Sequence, residues 1–334
     1  MKIVKGLLKT ALAGILAVAI LSGLFFFYTF MPIHKANKGG NTDYIWPENA
    51  RWFKMTEGIS TGKFDANGFN NLQVIEEPDI LILGSSHMEA TDVNQEESMT
   101  VVLNDLLKDQ FQAYNMGISG HTLTKIANYL PVTLDMYKDK MPKYIVIEIS
   151  NPVIKQSAVD NILNNKVPVD PSYDTGLIAK LQSVPFFRLV YQQTSGGLLK
   201  LFMPETKGSG AAEKPAVISE AAYDGMFTYL QETMENSGAR LILLYQPTGQ
   251  LQKDGSVKFE SDPEAIAMMT QKCQDHGFTF VDMTEPFIQL YETSHKLPHG
   301  FVTGEIGVGH LNADGHAVMA QTLADTITRL EQEG

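Results

Sequence analysis

The chain has 334 residues, 44% of them hydrophobic and 19% charged. That is enough apolar material for one large or two ordinary domains, and it excludes a disordered or fibrous chain. Lys and Arg total 26 against 38 Asp and Glu, a formal charge of −12, which opposes the phosphate neutralisation on which nucleic-acid affinity depends. The single cysteine, Cys273, excludes an intrachain disulfide and any thiolate-rich zinc or iron–sulfur site built within the chain.

The first element is apolar. Lys2, Lys5 and Lys9 precede a run from Thr10 to Met31 without a charged residue, long enough to cross about 30 Å of hydrocarbon. Ala17-Val18-Ala19 has the small-x-small form of a signal-peptidase site, but the apolar run continues through Phe27, too long for a signal-peptide core. An uncleaved single-pass anchor is expected, with residues 1–32 forming a cytoplasmic tip and the span. By the positive-inside tendency everything after Pro32 lies outside the plasma membrane. Residues 33–77, rich in Asn, Gly and Lys with scattered aromatics (Tyr44, Trp46, Trp52, Phe53), read as a juxtamembrane linker that packs as an irregular lead-in.

From residue 78 short apolar runs alternate with amphipathic helical patterns. Strands are predicted at Ile80–Leu83, Ala113–Ile118, Tyr144–Ile149, Arg240–Tyr245 and Phe278–Asp282. Helices are predicted around Val101–Leu107, Leu123–Leu134, Ser219–Asn236, Pro263–His276 and Asp314–Glu331. Between about 152 and 216 the pattern dissolves into Pro, Gly, Ser and Lys, read as an insertion on the carboxyl side of the strands. Five all-apolar strands separated by helices predict a flavodoxin-like three-layer α/β/α sandwich with a five-stranded parallel sheet, whose ligands bind beyond the strand carboxyl ends.

Four sequence blocks fall at those ends. The first strand runs into Gly84-Ser85-Ser86-His87, the second into Asn115-Met116-Gly117-Ile118-Ser119-Gly120-His121, and the third into Glu148-Ile149-Ser150-Asn151; near the C-terminus stands Gly307-Val308-Gly309-His310-Leu311-Asn312-Ala313-Asp314-Gly315-His316. Together they resemble the blocks of the SGNH (GDSL-type) hydrolase superfamily over about residues 78–330. That resemblance implies Ser86 as nucleophile and His310 as general base. It implies an oxyanion hole made of the Ser86 amide, the Gly120 amide and the Asn151 side chain, although Glu-Ile-Ser-Asn is one residue shorter than the family's block. The family's acid, three residues before the base, is replaced here by Gly307.

A nucleophilic serine needs a base within hydrogen-bond reach, and the base needs a group that fixes its tautomer. With Gly307 in place of the acid, that group is expected to be either a backbone carbonyl, making a Ser–His dyad, or a carboxylate arriving from elsewhere, such as Asp282 or Glu305. Asp314 is read as a helix cap, His316 as structural, and His121 as a cap of the following helix. No cofactor is expected, and no metal, since His87, His121 and His310 lack the spacing of a helical metal pair. The expected activity is that of a serine esterase or O-acyltransferase on O-acyl groups, above all O-acetyl, of cell-envelope carbohydrate. Its partners would be an acylated sugar or small ester, the membrane and, for a transferase, a membrane acyl donor. The competing reading is a non-catalytic glycan-binding or assembly protein with a degenerate site, for which the missing acid at 307 speaks.

Overall fold

The computed structural model describes residues 2–25, 31–32, 35–37, 42–55, 57–108, 110–164, 184, 186–187, 218–260, 262–301 and 307–333. Most of the expected insertion, and Glu305, lie outside the described residues. Helix α1 (Lys2–Phe25) contains a stretch, Val4–Leu24, of mean hydropathy 2.1 that is not buried against the rest of the chain. It is long and apolar enough to cross a membrane, a property it shares with signal sequences.

The segment read as a lead-in is built into the fold. Strands β1 (Lys35–Ala36) and β2 (Tyr44–Ile45) pair antiparallel, as do β3 (Arg51–Lys54) and β4 (Ser60–Lys63). Between and after them Trp46, Trp52, Phe64 and Phe69 are buried in the main core, with the Trp46 and Phe64 rings stacked at 5.0 Å. Each such burial contributes about 2 kcal/mol. Polar ties reinforce it. Buried Asp43 accepts hydrogen bonds from Lys125 Nζ (2.6 Å) and Tyr129 Oη (2.5 Å), and Asp65 accepts one from Tyr114 Oη (2.8 Å).

The central sheet contains β5 (Ile80–Leu83), β6 (Ala113–Asn115), β7 (Tyr144–Ile149), β8 (Arg240–Tyr245) and β11 (Thr279–Asp282). All pairs are parallel, in the spatial order β11-β8-β7-β5-β6. Numbered within the sheet this is the flavodoxin-like order 2-1-3-4-5. Strand residues alternate faces with period two. Leu81, Leu83, Ile145, Ile147, Leu241 and Leu243 point to one core, covered by α4 (Leu123–Met136), α5 (Gln156–Leu163), α6 (Glu220–Met234) and α7 (Pro263–Asp275). Ile80, Ile82, Tyr144, Val146, Ile242 and Leu244 point to the other, covered by α3 (Met99–Leu107), α8 (Thr284–Ser294) and α9 (Ala313–Glu333). Both faces are thus dry, which is why the strands read as unbroken apolar runs. Cys273, on α7, is buried, and burial pushes its thiol up to about 12.

Among the described residues, α5, which lies inside the stretch read as an insertion, was not anticipated, nor were α8 and a hairpin of β9 (Thr248–Leu251) with β10 (Val257–Glu260) beyond the end of β8. The chain leaves β5 toward β6 on one side and then returns to β7 on the other, so the carboxyl end of β5 is the topological switch point. In open α/β sheets such a point is where ligands bind.

Candidate active site

The turn after β5 is shaped by close packing. A Cβ on Gly84 would overlap Met88 and approach Glu148 Oε2 to 2.8 Å. Ser85 is the N-cap of the four-residue helix α2 (Ser86–Glu89), its hydroxyl accepting from the His87 amide. The Ser85 amide and hydroxyl both donate to Glu148 Oε2, at 2.8 and 2.9 Å. Behind it the network continues: Gln246 Nε2 donates to Glu148 Oε1 (3.1 Å), and Gln246 Oε1 pairs with His299 Nε2 (2.7 Å). Burial raises the pKa of Glu148. Ser85 is therefore committed to holding the turn, and Ser86, the first residue of α2, is half-buried.

His310 is delivered by a different set of contacts. His299 and Leu311 form an isolated antiparallel bridge, the Gly300 amide donates to the His310 carbonyl at 3.0 Å, and the Asn312 amide donates to the Pro298 carbonyl at 2.9 Å. Asn312 also donates from Nδ2 to the Leu297 and Gly300 carbonyls, and its Oδ1 accepts from the Gly315 amide. Asn312, not Asp314, thus caps α9; Asp314 instead pairs with Lys296. The result is that His310 Nε2 lies 2.9 Å from Ser86 Oγ.

The far side of the imidazole meets a carboxylate that the sequence did not point to. Glu57, in the turn between β3 and β4, places Oε1 2.9 Å from His310 Nδ1 and accepts the His310 amide on Oε2 at 2.8 Å. Asp282 is not there. Its Oδ1 accepts from the Thr284 amide and hydroxyl at 2.8 and 2.6 Å at the start of α8, which holds it on its own turn. Gly309 makes room for Glu57: a Cβ there would overlap Glu57 Oε2, and Gly309 has φ +106°. A second acid stands close by. Asp92 Oδ2 is 3.5 Å from His310 Nδ1 and 2.7 Å from Lys54 Nζ.

These neighbours determine the charges. The hydrogen bond from His310, outweighing burial, holds the Glu57 carboxyl down to about 2. Burial alone would lower the pKa of His310, but the Glu57 hydrogen bond and the charges of Asp92 and Glu57 win, and it is raised. The other histidines go the opposite way. Burial, aided by neighbouring imidazoles, lowers His87, His299 and His316 to about 3, so all three are neutral at ordinary pH. Nδ1 of His87 lies 3.3 Å from the Leu311 amide, and Nδ1 of His316 lies 3.3 Å from the Met99 amide. His121 sits 3.6 Å from Asp43, and the cap of α4 is Thr122. The His87 ring lies between those of His310 and His299, its centroid 5.2 and 5.7 Å from theirs. Glu57, Asp92 and His310 do lie within reach of one another, but the Lys54 ammonium already stands at Asp92 and His310 Nε2 faces a hydroxyl, which is a proton-transfer arrangement and not a cation cage.

The expected oxyanion groups stand at neighbouring strand ends. Gly120 has φ +79°, and a Cβ there would meet nothing, so backbone conformation and not space calls for glycine. Asn151 follows β7, is exposed, and accepts the Val153 amide on Oδ1 at 2.9 Å. With Ser150, Tyr245, Thr248, Lys258 and Asp262 it lines an open cavity under the β9–β10 hairpin.

No family model and no curated protein matches the chain. Solved structures do. One is the psychrotrophic esterase EstA from Pseudoalteromonas sp., at 15% identity, covering 76% of this chain and 98% of that one with a TM-score of 0.40. Others are an acetyl xylan esterase, AlAXEase (14% identity, 74% and 99% covered, TM-score 0.40), and Est24, a carbohydrate acetylesterase from Sinorhizobium meliloti (12%, 75% and 98%, TM-score 0.40). What the strand order shows is a flavodoxin-like doubly wound parallel sheet.

Sequence reasoning missed Glu57, Asp92, Lys54 and the Glu148–Gln246–His299 chain. Only Glu148 left a signal, as a charged residue inside an otherwise apolar strand.

Proposed function

We propose that the chain is a serine esterase or O-acyltransferase that works through an acyl-Ser86 intermediate. The observation that supports this is the continuous relay Ser86 Oγ–His310 Nε2 at 2.9 Å and His310 Nδ1–Glu57 Oε1 at 2.9 Å. In the resting site Glu57 holds the proton on Nδ1, which leaves Nε2 as the acceptor facing the hydroxyl. Ser86 attacks the ester carbonyl as its proton passes to His310, and the imidazolium formed is stabilised by the Glu57 charge. The Ser86 and Gly120 amides and the Asn151 NH2 group are assigned to the developing oxyanion. His310 then gives its proton to the leaving alkoxide, and water or a sugar hydroxyl resolves the acyl-enzyme by the same steps in reverse. The Glu57 carboxylate facing His310, where position 307 offers no acid, supports this reading over that of a degenerate binding protein.

Within this reading the substrate is an O-acetylated carbohydrate of the cell envelope. α1 is an uncleaved anchor with its N-terminus in the cytoplasm and the enzyme domain outside. The three lysines before the span and its length support that orientation. Labelling with a fluorophosphonate probe tests the chemistry, because only an activated serine reacts. Modification of Ser86, lost in Ser86→Ala and retained in Ser85→Ala, is expected; an unlabelled, folded wild-type protein would overturn the proposal.

A further inference from the structure

The acid that faces His310 is doubled, and the second one carries its own counter-charge. Asp92 is 3% exposed, its Oδ1 is buried with no hydrogen-bond partner among the described residues, and its Oδ2 lies between Lys54 Nζ at 2.7 Å and His310 Nδ1 at 3.5 Å. At 3.5 Å it is too far for a good hydrogen bond while Glu57 occupies the proton at 2.9 Å. It therefore acts on the ring by charge. A carboxylate oxygen buried with no donor costs free energy, and the counter-charge on the other oxygen, Lys54, has a side chain only 20% exposed.

From Asp92 and Lys54 flanking the far side of the imidazole, we infer that this ion pair is a positioning device that sets the pH at which His310 can take the proton of Ser86. The inference rests on the reading of Ser86 and His310 as nucleophile and base. The groups facing His310 are Glu57 from the turn after β3, Lys54 from β3, Asp92 from the segment after α2, and Ser86 and His87 from α2; the His87 ring is 5.2 Å away. Glu148 of β7, His299 and the buried His316 of α9 stand further back. With Glu57 and Asp92 negative and Lys54 positive, the protonated imidazole makes the cluster neutral, and the unprotonated one leaves a single negative charge. Removing the ammonium would leave two carboxylates pulling a proton onto the ring, so the base would be spent at neutral pH. Removing Asp92 would leave the ammonium opposing protonation. The two changes must act in opposite directions, which a merely structural pair would not do.

The test uses the full-length protein in detergent micelles, with two readouts: the pH profile of kcat/KM for p-nitrophenyl acetate, and the imidazole nitrogen NMR titration of His310, assigned by its loss in His310→Gln. Lys54→Met is expected to move the acid limb and the His310 titration up by about one pH unit or more, so that the rate one unit below the wild-type limb falls about tenfold while the alkaline plateau stays within a few-fold. Asp92→Asn is expected to move both down, and Lys54→Arg to leave both in place. An unmoved titration in Lys54→Met, or shifts of the same sign in Lys54→Met and Asp92→Asn, would overturn the inference. Should Asp92→Asn fail to fold, the contrast between Lys54→Met and Lys54→Arg decides alone. If the wild type hydrolyses no ester, the esterase reading fails, and the NMR titrations still decide whether the pair tunes His310.

Discussion

Replacing Glu57 by Gln changes one atom and is expected to be more damaging than deleting the side chain. Both Glu57 oxygens are acceptors, Oε2 from the His310 amide and Oε1 from Nδ1. A carboxamide offers one acceptor and one donor. If its oxygen keeps the backbone amide, its NH2 meets Nδ1, which must then become the acceptor; the ring proton moves to Nε2 and points at Ser86, and the base has nowhere to put the serine proton. Loss of both the tautomer and the stabilising charge costs about 10²- to 10⁴-fold in kcat, roughly 3–5 kcal/mol of transition-state stabilisation. In Glu57→Ala no donor enforces the wrong tautomer, and Asp92, 3.5 Å from Nδ1, is placed to take over in part, so a loss near the lower end of that range is expected. Steady-state hydrolysis of p-nitrophenyl acetate, with active sites counted by phosphonate burst, measures both variants. A Glu57→Gln enzyme within a few-fold of wild type, or one clearly more active than Glu57→Ala, would refute the assignment of Glu57 as the orienting acid.

Because the pKa of His310 is raised and the reaction needs the neutral ring, the acid limb of kcat/KM is expected above about pH 6.5, the ordinary imidazole value; a limb at or below pH 6 would contradict this. Gly309→Ala should cost activity by at least about tenfold, since its Cβ overlaps Glu57 Oε2 and its φ of +106° disfavours any side chain, and kinetics with a circular-dichroism control check it. His316, buried and held near 3, refuses in the folded state a proton that the unfolded chain accepts. Its stability contribution is whole above about pH 6.5 and is lost as pH falls toward 3. His316→Gln should flatten the dependence of urea stability on pH in that window by up to about 1.4 kcal/mol per unit, while esterase activity at neutral pH stays near wild type; an unchanged slope would count against it.

The apolar runs of β5, β7 and β8 announced a parallel sheet covered on both sides, because a strand buried on both faces has no polar position to alternate with. The Gly84-Ser85-Ser86 turn and the His310-Leu311-Asn312 block were equally legible, since each is a short segment whose chemistry and backbone needs are local. The two serines of the turn part company in the structure, Ser85 bonding Glu148 and capping α2 while Ser86 Oγ lies 2.9 Å from His310 Nε2. Glu57 was not legible. It lies 253 residues from His310 in a segment whose composition reads as linker, and no periodicity connects the two. What brings them together is the burial of Trp46, Trp52 and Phe64 against the sheet, which fastens the β3–β4 hairpin beside α2 and points its turn at the imidazole. Asp282 illustrates the converse: a carboxylate at a strand end looks available in sequence, and the helix that begins two residues later takes its oxygen. A sequence states which groups can donate and accept; which of them meet is decided by packing between distant segments, because the apolar area that drives it has no direction of its own and is satisfied only in three dimensions.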